Sequence, residues 1–382
     1  MKYDISKLGK DISPVWEGNT VCEETVMFLG EGEKKKLLYT PVEILSVRSF
    51  DLEREFVRGK DYELEDGCLV RPEGSEMPCM SKEEYYFGPN ATESFQTKMD
   101  GEWHKTYFAS GREMKKHQVA VTYTHKEESF DVSIPDESKY FSNIIGKLER
   151  GEDATIFFYG DSITVGANSS GRDEHEPFMP TWAELVSMRL AEKYGYKLRF
   201  VYTDFQNGSR LPREEISFGD KGVITVVNTA VGGWKVTDGI DNFEVHCELF
   251  LKKYGCDLLI LGFGMNDKKN APEEEHALVS KLAHMFLEFV KPEILLVATM
   301  LPNPEANEKW FLNQPFFEAE FIEIAKELRA EGIGSAVAPV TSVSRWVLDR
   351  KYFRDITGNN INHPNDFMIR IYAATLLKTL IG

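Results

Sequence analysis

The sequence predicts an α/β fold in two parts: an all-β part, followed by a parallel sheet that is covered by helices on both faces. Up to about residue 140, short strand-like runs follow one another without intervening helices. From about residue 150, apolar runs alternate with longer segments of helical periodicity, which is typical of parallel strands joined by helical crossovers. The 382 residues suffice for two such domains, which we place at 1–140 and 150–382.

The first part consists of β-branched or alternating runs separated by turn residues. The candidate strands are Thr25–Leu29, Lys36–Phe50, Asp61–Val70, Ser94–Met99, Thr106–Ala109 and Gln118–His125. Turns are predicted at Glu65–Cys68 and Asp100–Gly101. We therefore expect a jelly-roll-like β-sandwich. Some of its aromatic residues either stack on a sugar or pack inside the sandwich: Trp16, Tyr85, Tyr86 and Trp103.

A charged linker, Ile134–Asp153, separates this part from the alternating pattern. Beyond it, the predicted strands are Ile156–Tyr159, Val223–Asn228, Leu258–Gly262, Ile294–Thr299 and Ser335–Val340. The predicted helices are Thr181–Tyr194, Gly239–Lys253, Pro272–Val290, Phe316–Glu331 and Phe367–Leu380. Right-handed crossovers place the loops after these strands along one edge of the sheet, where ligands bind in such folds.

The composition limits the classes of partner. The chain has 45 Lys and Arg against 62 Asp and Glu, a net charge of -17, which argues against nucleic acids and anionic membranes. The charged N-terminus has no apolar core and no long apolar stretch follows, so we expect a cytoplasmic protein. We predict neither a cofactor nor a metal site, and the five cysteines lack paired spacing. The oligomeric state is left open.

The most informative stretch is Ala154–Gly166, ATIFFYGDSITVG. A buried strand stops at Gly160, which allows a sharp turn, and a helix begins shortly afterwards. Ser162 then lies beside unpaired backbone N–H groups at the positive end of a helix, which suits attack on a carbonyl carbon. The alternative is structural: Asp161 or Ser162 only caps the helix.

Two more loops end at the same edge of the predicted sheet. Asn228–Gly233 follows the second strand of this part, and Gly262–Asp267 follows the third. A serine nucleophile needs a base within hydrogen-bond reach, and of the eight histidines His363 lies in a loop directly before the closing helix. Pro364 restrains the backbone of His363 and starts that helix. A histidine that only packs near a helix start is the structural alternative.

These loops resemble the sequence blocks of the SGNH hydrolases, also called GDSL esterases. The matching residues, in order across about three-fifths of the chain, are Gly160-Asp161-Ser162, the Asn228–Gly233 loop, Gly264-Met265-Asn266-Asp267 and His363-Pro364. The resemblance implies a flavodoxin-like αβα sandwich and ester hydrolysis through an acyl-enzyme. It makes Ser162 the nucleophile and His363 the general base. The donors to the oxyanion are then the Ser162 N–H, the Gly233 N–H and the Asn266 side-chain amide.

The chain departs from the family pattern at the acid of the triad. The family places an aspartate three residues before the histidine, and this chain has Asn360 there. Three arrangements stay open: a Ser–His dyad oriented by a neutral acceptor such as Asn360 or a backbone carbonyl, a triad completed by Asp355, and a triad completed by Asp366. A β-sandwich ahead of the hydrolase domain, together with a missing acid, resembles carbohydrate esterase family 2, whose members deacetylate plant polysaccharides.

The resemblance implies that the protein removes short acyl groups, acetyl above all, from a small ester or an oligosaccharide. We place Trp234, Asp161 and Gly232 among the substrate-binding residues; Trp234 either stacks on a sugar ring or packs on the neighbouring helix. The polar loop Ala167–Pro180 beside Ser162 either walls the pocket or is plain surface. Two other classes stay open: a thioesterase or lysophospholipase of the same fold, and a sugar-binding protein with weak catalysis or none.

Overall fold

The computed structural model describes residues 2–99, 102–126, 129–202, 215–305 and 310–382. In the N-terminal region (residues 1–140) the strands are β1 (Thr20–Met27), β2 (Lys34–Lys35), β3 (Pro41–Ser49), β4 (Glu63–Glu65), β5 (Cys68–Val70), β6 (Ala91–Met99), β7 (Glu102–Tyr107) and β8 (Gln118–His125). The α-helices of this region are short: α1 (Leu8–Asp11), α2 (Lys82–Phe87) and α3 (Arg112–Lys115). Two 3₁₀ turns lie at Ile5–Lys7 and Ser138–Phe141.

The rest of the chain alternates strands with helices. Its strands are β9 (Ala154–Gly160), β10 (Lys197–Tyr202), β11 (Ile216–Ser217), β12 (Val223–Asn228), β13 (Leu258–Gly262), β14 (Glu293–Val297) and β15 (Ser335–Ala338). Its α-helices are α4 (Ser142–Arg150), α5 (Ser162–Val165), α6 (Trp182–Tyr194), α7 (Val236–Asp241), α8 (Leu249–Tyr254), α9 (Pro272–Leu287), α10 (Gln314–Ala330), α11 (Val340–Leu348) and α12 (Asp366–Ile381). A π-helical turn, Glu244–Glu248, and a 3₁₀ turn, Phe353–Asp355, complete the described elements.

Seven of the described strands form one sheet in the order β11-β10-β12-β9-β13-β14-β15. Neighbouring strands from β10 to β15 are parallel, and β11 pairs antiparallel at one edge. Every residue of the central strand β9 is buried, as expected for an apolar run with both faces covered. The parallel α/β sheet predicted from the alternating pattern is confirmed.

The register of this sheet brings three loops together. Asn228 of β12 pairs with Phe158 of β9, and Gly262 of β13 pairs with Gly160 of β9. Because these strands are parallel neighbours, the loops that follow them leave the same edge of the sheet side by side. The loops that carry the candidate chemistry therefore meet in space.

Apolar clusters cover the two faces of the sheet. Phe157 and Tyr159 of β9 belong to one cluster, and Ile156 and Phe158 belong to the other, because successive side chains of a strand point to opposite faces. The second cluster continues into the N-terminal region through residues such as Tyr123. A shared core thus joins the two predicted domains, and the division at 1–140 and 150–382 stays a prediction.

The N-terminal strands form small, separate antiparallel sheets in the described residues. Their orders are β1-β8-β3, β2-β5-β4 and β6-β7. The predicted turn between β4 and β5 is present, with Asp66 and Gly67 both at positive φ (51° and 74°). The jelly-roll-like β-sandwich is not confirmed.

The aromatic residues proposed to stack on sugars are engaged inside the protein. Tyr85 and Tyr86 are buried, and the Trp16 ring stacks on Phe130 with 5.0 Å between the ring centroids. The side chain of Trp103 lies outside the described residues. Packing, the alternative considered from the sequence, therefore accounts for Trp16, Tyr85 and Tyr86.

Several elements differ from the sequence prediction: the short helices α1, α2 and α3 interrupt the predicted run of strands, the edge strand β11 was not predicted, and the predicted helix Gly239–Lys253 is divided into α7, the π-helical turn and α8. The predicted linker contains α4, because Ile144 and Leu148 at helical spacing pack into the core. The strand β10 was not predicted, although Leu198 and Phe200 alternate with charged residues, and α11 was not predicted either. Within the described ranges, no helix has the length and apolar character needed to cross a membrane.

Candidate active site

Ser162 lies at the carboxyl end of the central strand, in the turn between β9 and α5. Oδ1 of Asp161 accepts a hydrogen bond from the Ile163 N–H (2.9 Å) and caps α5. A Cβ atom on Gly160 would collide with the carbonyl oxygen of Gly262, so a residue without a side chain is required before the turn. The turn holds Ser162 in a defined position at the sheet edge, with 8% of its surface exposed.

His363 approaches Ser162 from the loop before α12. Its Nε2 lies 2.9 Å from Ser162 Oγ, within reach of the hydroxyl proton. Asn359 holds this loop, because its Oδ1 accepts hydrogen bonds from the N–H groups of Ile361, Asn362 and His363 at 3.0, 3.0 and 3.1 Å. The expected proximity of the serine and the histidine is present in the structure.

The second ring nitrogen of His363 faces Asn168, which is not among the site residues predicted from the sequence. Nδ1 lies 2.8 Å from Oδ1 of Asn168. Since an amide oxygen only accepts, Nδ1 carries the ring proton and Nε2 is left to accept the serine proton. Asn168 is buried at positive φ (66°), a conformation that asparagine adopts more readily than most residues.

A sequence signal for Asn168 was present but ambiguous. The residue lies in the polar loop Ala167–Pro180, which was expected either to wall the pocket or to be plain surface. Its contact with His363 shows that part of the loop belongs to the site. No local pattern distinguishes Asn168 from the other polar residues of the loop, because its partner is 195 positions away.

Asn360 does not orient His363. Its Nδ2 donates to the hydroxyl of Tyr85 (2.6 Å) and to the carbonyl oxygen of Tyr107 (2.9 Å), both in the N-terminal region. The neutral group that faces His363 Nδ1 in the structure is Asn168, and Asn360 has other partners. Spacing along the chain placed Asn360 near the histidine, but its side chain turns to the N-terminal region instead.

The two aspartates considered for the triad also have other partners. Asp355 is buried, accepts a hydrogen bond from the Met27 N–H (2.8 Å) and lies 3.5 Å from Lys35 Nζ. Asp366 accepts a hydrogen bond from the Ser170 N–H (2.8 Å) at the start of α12. Both expectations of a triad are corrected, since these carboxylates hold neighbouring segments and the histidine ring contacts an amide.

The loops expected to bind an oxyanion lie beside the serine. A Cβ atom on Gly232 would lie 3.7 Å from the Cβ of Ser162, and Gly233 has a positive φ of 83°. Both glycines are exposed, so their backbone is open to a bound molecule. Nδ2 of Asn266 donates to the Trp234 carbonyl oxygen (2.9 Å), and its second hydrogen is available for another acceptor. The structure brings all of these groups to one edge of the sheet.

Two residues placed among the substrate contacts have internal roles. The Trp234 ring packs edge-on against His246 with 4.5 Å between centroids, which favours the packing alternative over stacking on a sugar. Asp161 is 1% exposed and caps α5, so it shapes the turn and is shielded from a substrate. Gly232 remains next to Ser162, as expected.

Burial controls the charge of the histidine. The pKa of His363 is lowered to about 4, first because burial disfavours the imidazolium and second because the Arg172 cation is near. Its ring partners, Ser162 and Asn168, are both neutral. His363 is therefore an uncharged base over most of the pH range.

Buried carboxyl groups lie behind the serine turn. Burial raises the pKa of Asp161 to about 7, and it also raises the pKa values of Asp267 and Glu275, each with a further contribution from neighbouring acids. Asp267 joins two loops, since its Oδ1 accepts from the Val236 N–H (2.9 Å) and its Oδ2 from the Gly264 N–H (3.1 Å). The buried Asp267 carboxylate therefore holds these two loops together behind the serine turn.

The chain is similar to several solved structures, whereas no family model and no curated protein matches it. A two-domain esterase active on acetylated mannans is 20% identical, with a TM-score of 0.44; the match covers 62% of this chain and 52%, about half, of that chain. A carbohydrate acetylesterase from Sinorhizobium meliloti is 13% identical, with a TM-score of 0.36 and coverage of 59% and 96%. A lipase/acylhydrolase from Enterococcus faecalis is 16% identical, with a TM-score of 0.36 and coverage of 59% and 95%. Several of the solved structures that this chain is similar to are G-D-S-L or SGNH hydrolases, and others are acetyl esterases active on carbohydrates.

Proposed function

We propose that this protein is a serine hydrolase that cleaves carboxylic esters through an acyl-enzyme. The observation that carries the proposal is one hydrogen-bonded chain: Ser162 Oγ lies 2.9 Å from His363 Nε2, and His363 Nδ1 lies 2.8 Å from Asn168 Oδ1. In this chain His363 takes the proton as Ser162 attacks the carbonyl carbon. The protonated Nε2 then gives this proton to the leaving alcohol, and the acyl group stays on Ser162. Water, activated by the same histidine, hydrolyses this acyl-enzyme and releases the acid.

Asn168 takes the place of a triad acid in this proposal. Its oxygen keeps the proton on Nδ1, so the correct tautomer of His363 is available. It brings no negative charge to offset the imidazolium that forms during attack. The transition state is therefore stabilised mainly through the negative charge on the substrate oxygen. The proposed donors to this oxyanion are the N–H groups of Ser162 and Gly233 and the amide of Asn266.

The finer proposal is a short acyl group, most simply acetyl, on a carbohydrate. The net charge of -17 supports a neutral substrate over an anionic lipid surface. The polar loop 167–180, which contributes Asn168 to the site, supports a hydrophilic leaving group.

Labelling with a fluorophosphonate probe tests the nucleophile. We expect one modified peptide, with the adduct on Ser162, in the native protein and none in Ser162→Ala. Ser217→Ala removes an exposed hydroxyl on β11 and should label like the native protein. Folded protein that stays unlabelled would refute the enzymatic proposal and favour a sugar-binding protein.

Turnover of substrates that differ only in the acyl group or only in the alcohol tests the proposed substrate class. We expect acetate release from acetylated manno- and xylo-oligosaccharides, and p-nitrophenyl ester rates that fall beyond butyrate. Rates that rise with acyl length, or turnover of acyl thioesters with inert sugar acetates, would identify a lysophospholipase or a thioesterase instead.

A further inference from the structure

A buried lysine of the N-terminal region reaches the loop that carries Asn168. Lys115 is the last residue of α3, and its side chain is 3% exposed. Its Nζ donates to the carbonyl oxygen of Asn168 at 3.0 Å. Because an ammonium group only donates and a carbonyl oxygen only accepts, this hydrogen bond has one possible direction. It holds the backbone of the residue whose side chain faces His363 Nδ1.

An aspartate at the start of α12 holds the same loop and pairs with the lysine. Oδ1 of Asp366 accepts from the Ser170 N–H at 2.8 Å and lies 3.6 Å from Lys115 Nζ. The Asp366 and Asp173 carboxylates oppose the effect of burial on the pKa of Lys115 and favour its charged form. The ion pair therefore anchors both the C=O of Asn168 and the N–H of Ser170.

The backbone of Asn168 needs such support. Its φ of 66° lies in the left-handed region, which disfavours residues with a side chain. The loop before α12 also packs closely against it, because a Cβ atom on Gly358 would lie only 2.4 Å from the Asn168 Cβ. A strained residue keeps its conformation when several surrounding contacts fix it, and the Lys115 ammonium supplies one of them.

The position of the Asn168 side chain matters for the proposed base. Its oxygen accepts from His363 Nδ1 at 2.8 Å. If the loop moves, Nδ1 loses this acceptor, and the ring proton is free to occupy Nε2. Nε2 would then donate to Ser162 and would be unable to take its proton.

We propose that Lys115 is a positioning residue: together with Asp366 it holds the Asn168 backbone, so that the Asn168 oxygen stays at His363 Nδ1. The inference rests on the proposed function and extends it, because the ammonium group belongs to the N-terminal region. Lys115 acts on the reaction through Asn168, and the ion pair with Asp366 keeps its ammonium in place.

A double-mutant cycle tests whether Lys115 acts through Asn168. Lys115→Met keeps most of the side-chain length and removes the ammonium. It should lower the rate of fluorophosphonate labelling and kcat/KM on p-nitrophenyl acetate about 5- to 100-fold, with the upper end set by the loss of one hydrogen bond from a charged donor. In an Asn168→Ala background the same change should cost less than about 2-fold, because the group that Lys115 positions is already absent. Equal losses in both backgrounds, or no loss in the native background, would overturn the inference.

Two further variants separate position from stability. Lys351→Met removes the ammonium of another buried lysine, which pairs with Glu24, and should leave both rates of the folded protein unchanged. Lys115→Met combined with Asp366→Asn removes both charges of the pair, so it should regain Tm relative to Lys115→Met while its labelling rate stays low. It also replaces Lys115→Met in the cycle if that variant does not fold. Recovery of the rate together with Tm would show that the lysine only stabilises the fold, and the inference would fail.

The tautomer of His363 provides a readout that does not depend on turnover. ¹⁵N-labelled histidine should show the His363 proton on Nδ1 in the native protein and in Lys351→Met. A larger share should lie on Nε2 in Lys115→Met and in Asn168→Ala. An unchanged tautomer in Lys115→Met would refute the role of Lys115 while labelling of Ser162 still supported the enzyme. Absent labelling with the expected tautomer shift would refute the enzyme alone.

Discussion

Replacing Asn168 by aspartate should move the acidic limb of the pH–rate profile to higher pH. In the native protein the pKa of His363 is lowered to about 4 by burial and by the Arg172 cation. A base acts in its neutral form, so kcat/KM should stay high on acidification until the pH nears that value. A carboxylate next to Nδ1 favours the imidazolium and therefore raises this pKa.

The distance in the structure sets the size of the shift. Nδ1 and the oxygen at residue 168 are 2.8 Å apart, so the centres of the two charges would be separated by about 4 Å. At an effective dielectric constant of about 20 their attraction is about 4 kcal/mol, which corresponds to an upper limit of about 3 pKa units. Opposite charges this close shift pKa values by about 1 to 3 units in proteins. The acidic limb should therefore move from about pH 4 to between about pH 5 and about pH 7.

The rate of fluorophosphonate inactivation measures this limb directly, because it reports the free enzyme. Native protein and the Asn168→Asp variant should be compared across the pH range in which both keep their native circular dichroism. Asn168→Ala is the matched control: it removes the acceptor without adding charge and should be slower at every pH with no upward shift. A native limb near the ordinary histidine value, or an aspartate variant whose limb does not rise, would refute the electrostatic account.

Three further changes have defined outcomes. Asn266→Ala should lower kcat about 100- to 1000-fold with little change in KM, because it removes a proposed oxyanion donor; steady-state kinetics on p-nitrophenyl acetate measures this. Lys351→Met should lower the free energy of unfolding in urea by about 3 to 5 kcal/mol, because it leaves Glu24, its fully buried partner, without its counter-charge. Glu275→Gln should reduce the fall in Tm between about pH 5 and about pH 9: a carboxyl whose pKa is raised binds more protons folded than unfolded, so the native protein loses stability as the pH rises.

Each of these changes has its own control. Native circular dichroism for Asn266→Ala shows that a rate loss is chemical, and a loss below about 10-fold would remove Asn266 from the oxyanion site. Adding Glu24→Gln to Lys351→Met should recover part of the lost stability, since it removes the uncompensated charge. A pH dependence of Tm that is identical with glutamine at residue 275 would show that this carboxyl titrates normally.

Local patterns predicted the central sheet and the loop positions of three candidate site residues. Short apolar runs form strands that are buried on both faces, and glycine and polar residues mark where each strand ends. The sequence therefore places Ser162 and Asn266 in the loops that follow two of these strands. Pro364 and the capped start of α12 likewise place His363 in a loop before the helix. Most of the N-terminal strands were predicted as well, but their assembly into a sandwich is not confirmed. The order in which strands pair depends on contacts between residues far apart in the chain, so local patterns do not predict it.

The sequence by itself determined which backbone segments are strands, helices and sharp turns, because burial periodicity and the φ requirements of glycine and proline act over a few residues. Only the tertiary structure decided that Asn168 orients His363 while Asn360, Asp355 and Asp366 do not. These four are polar residues in loops and helix ends, and their local sequence is compatible with any of them facing the ring. Three of these side chains have partners in the N-terminal region: Tyr85 and Tyr107 accept from Asn360, Lys35 pairs with Asp355, and Ser110 accepts from Asn168. Such hydrogen bonds between distant segments form only when the two halves of the chain pack together.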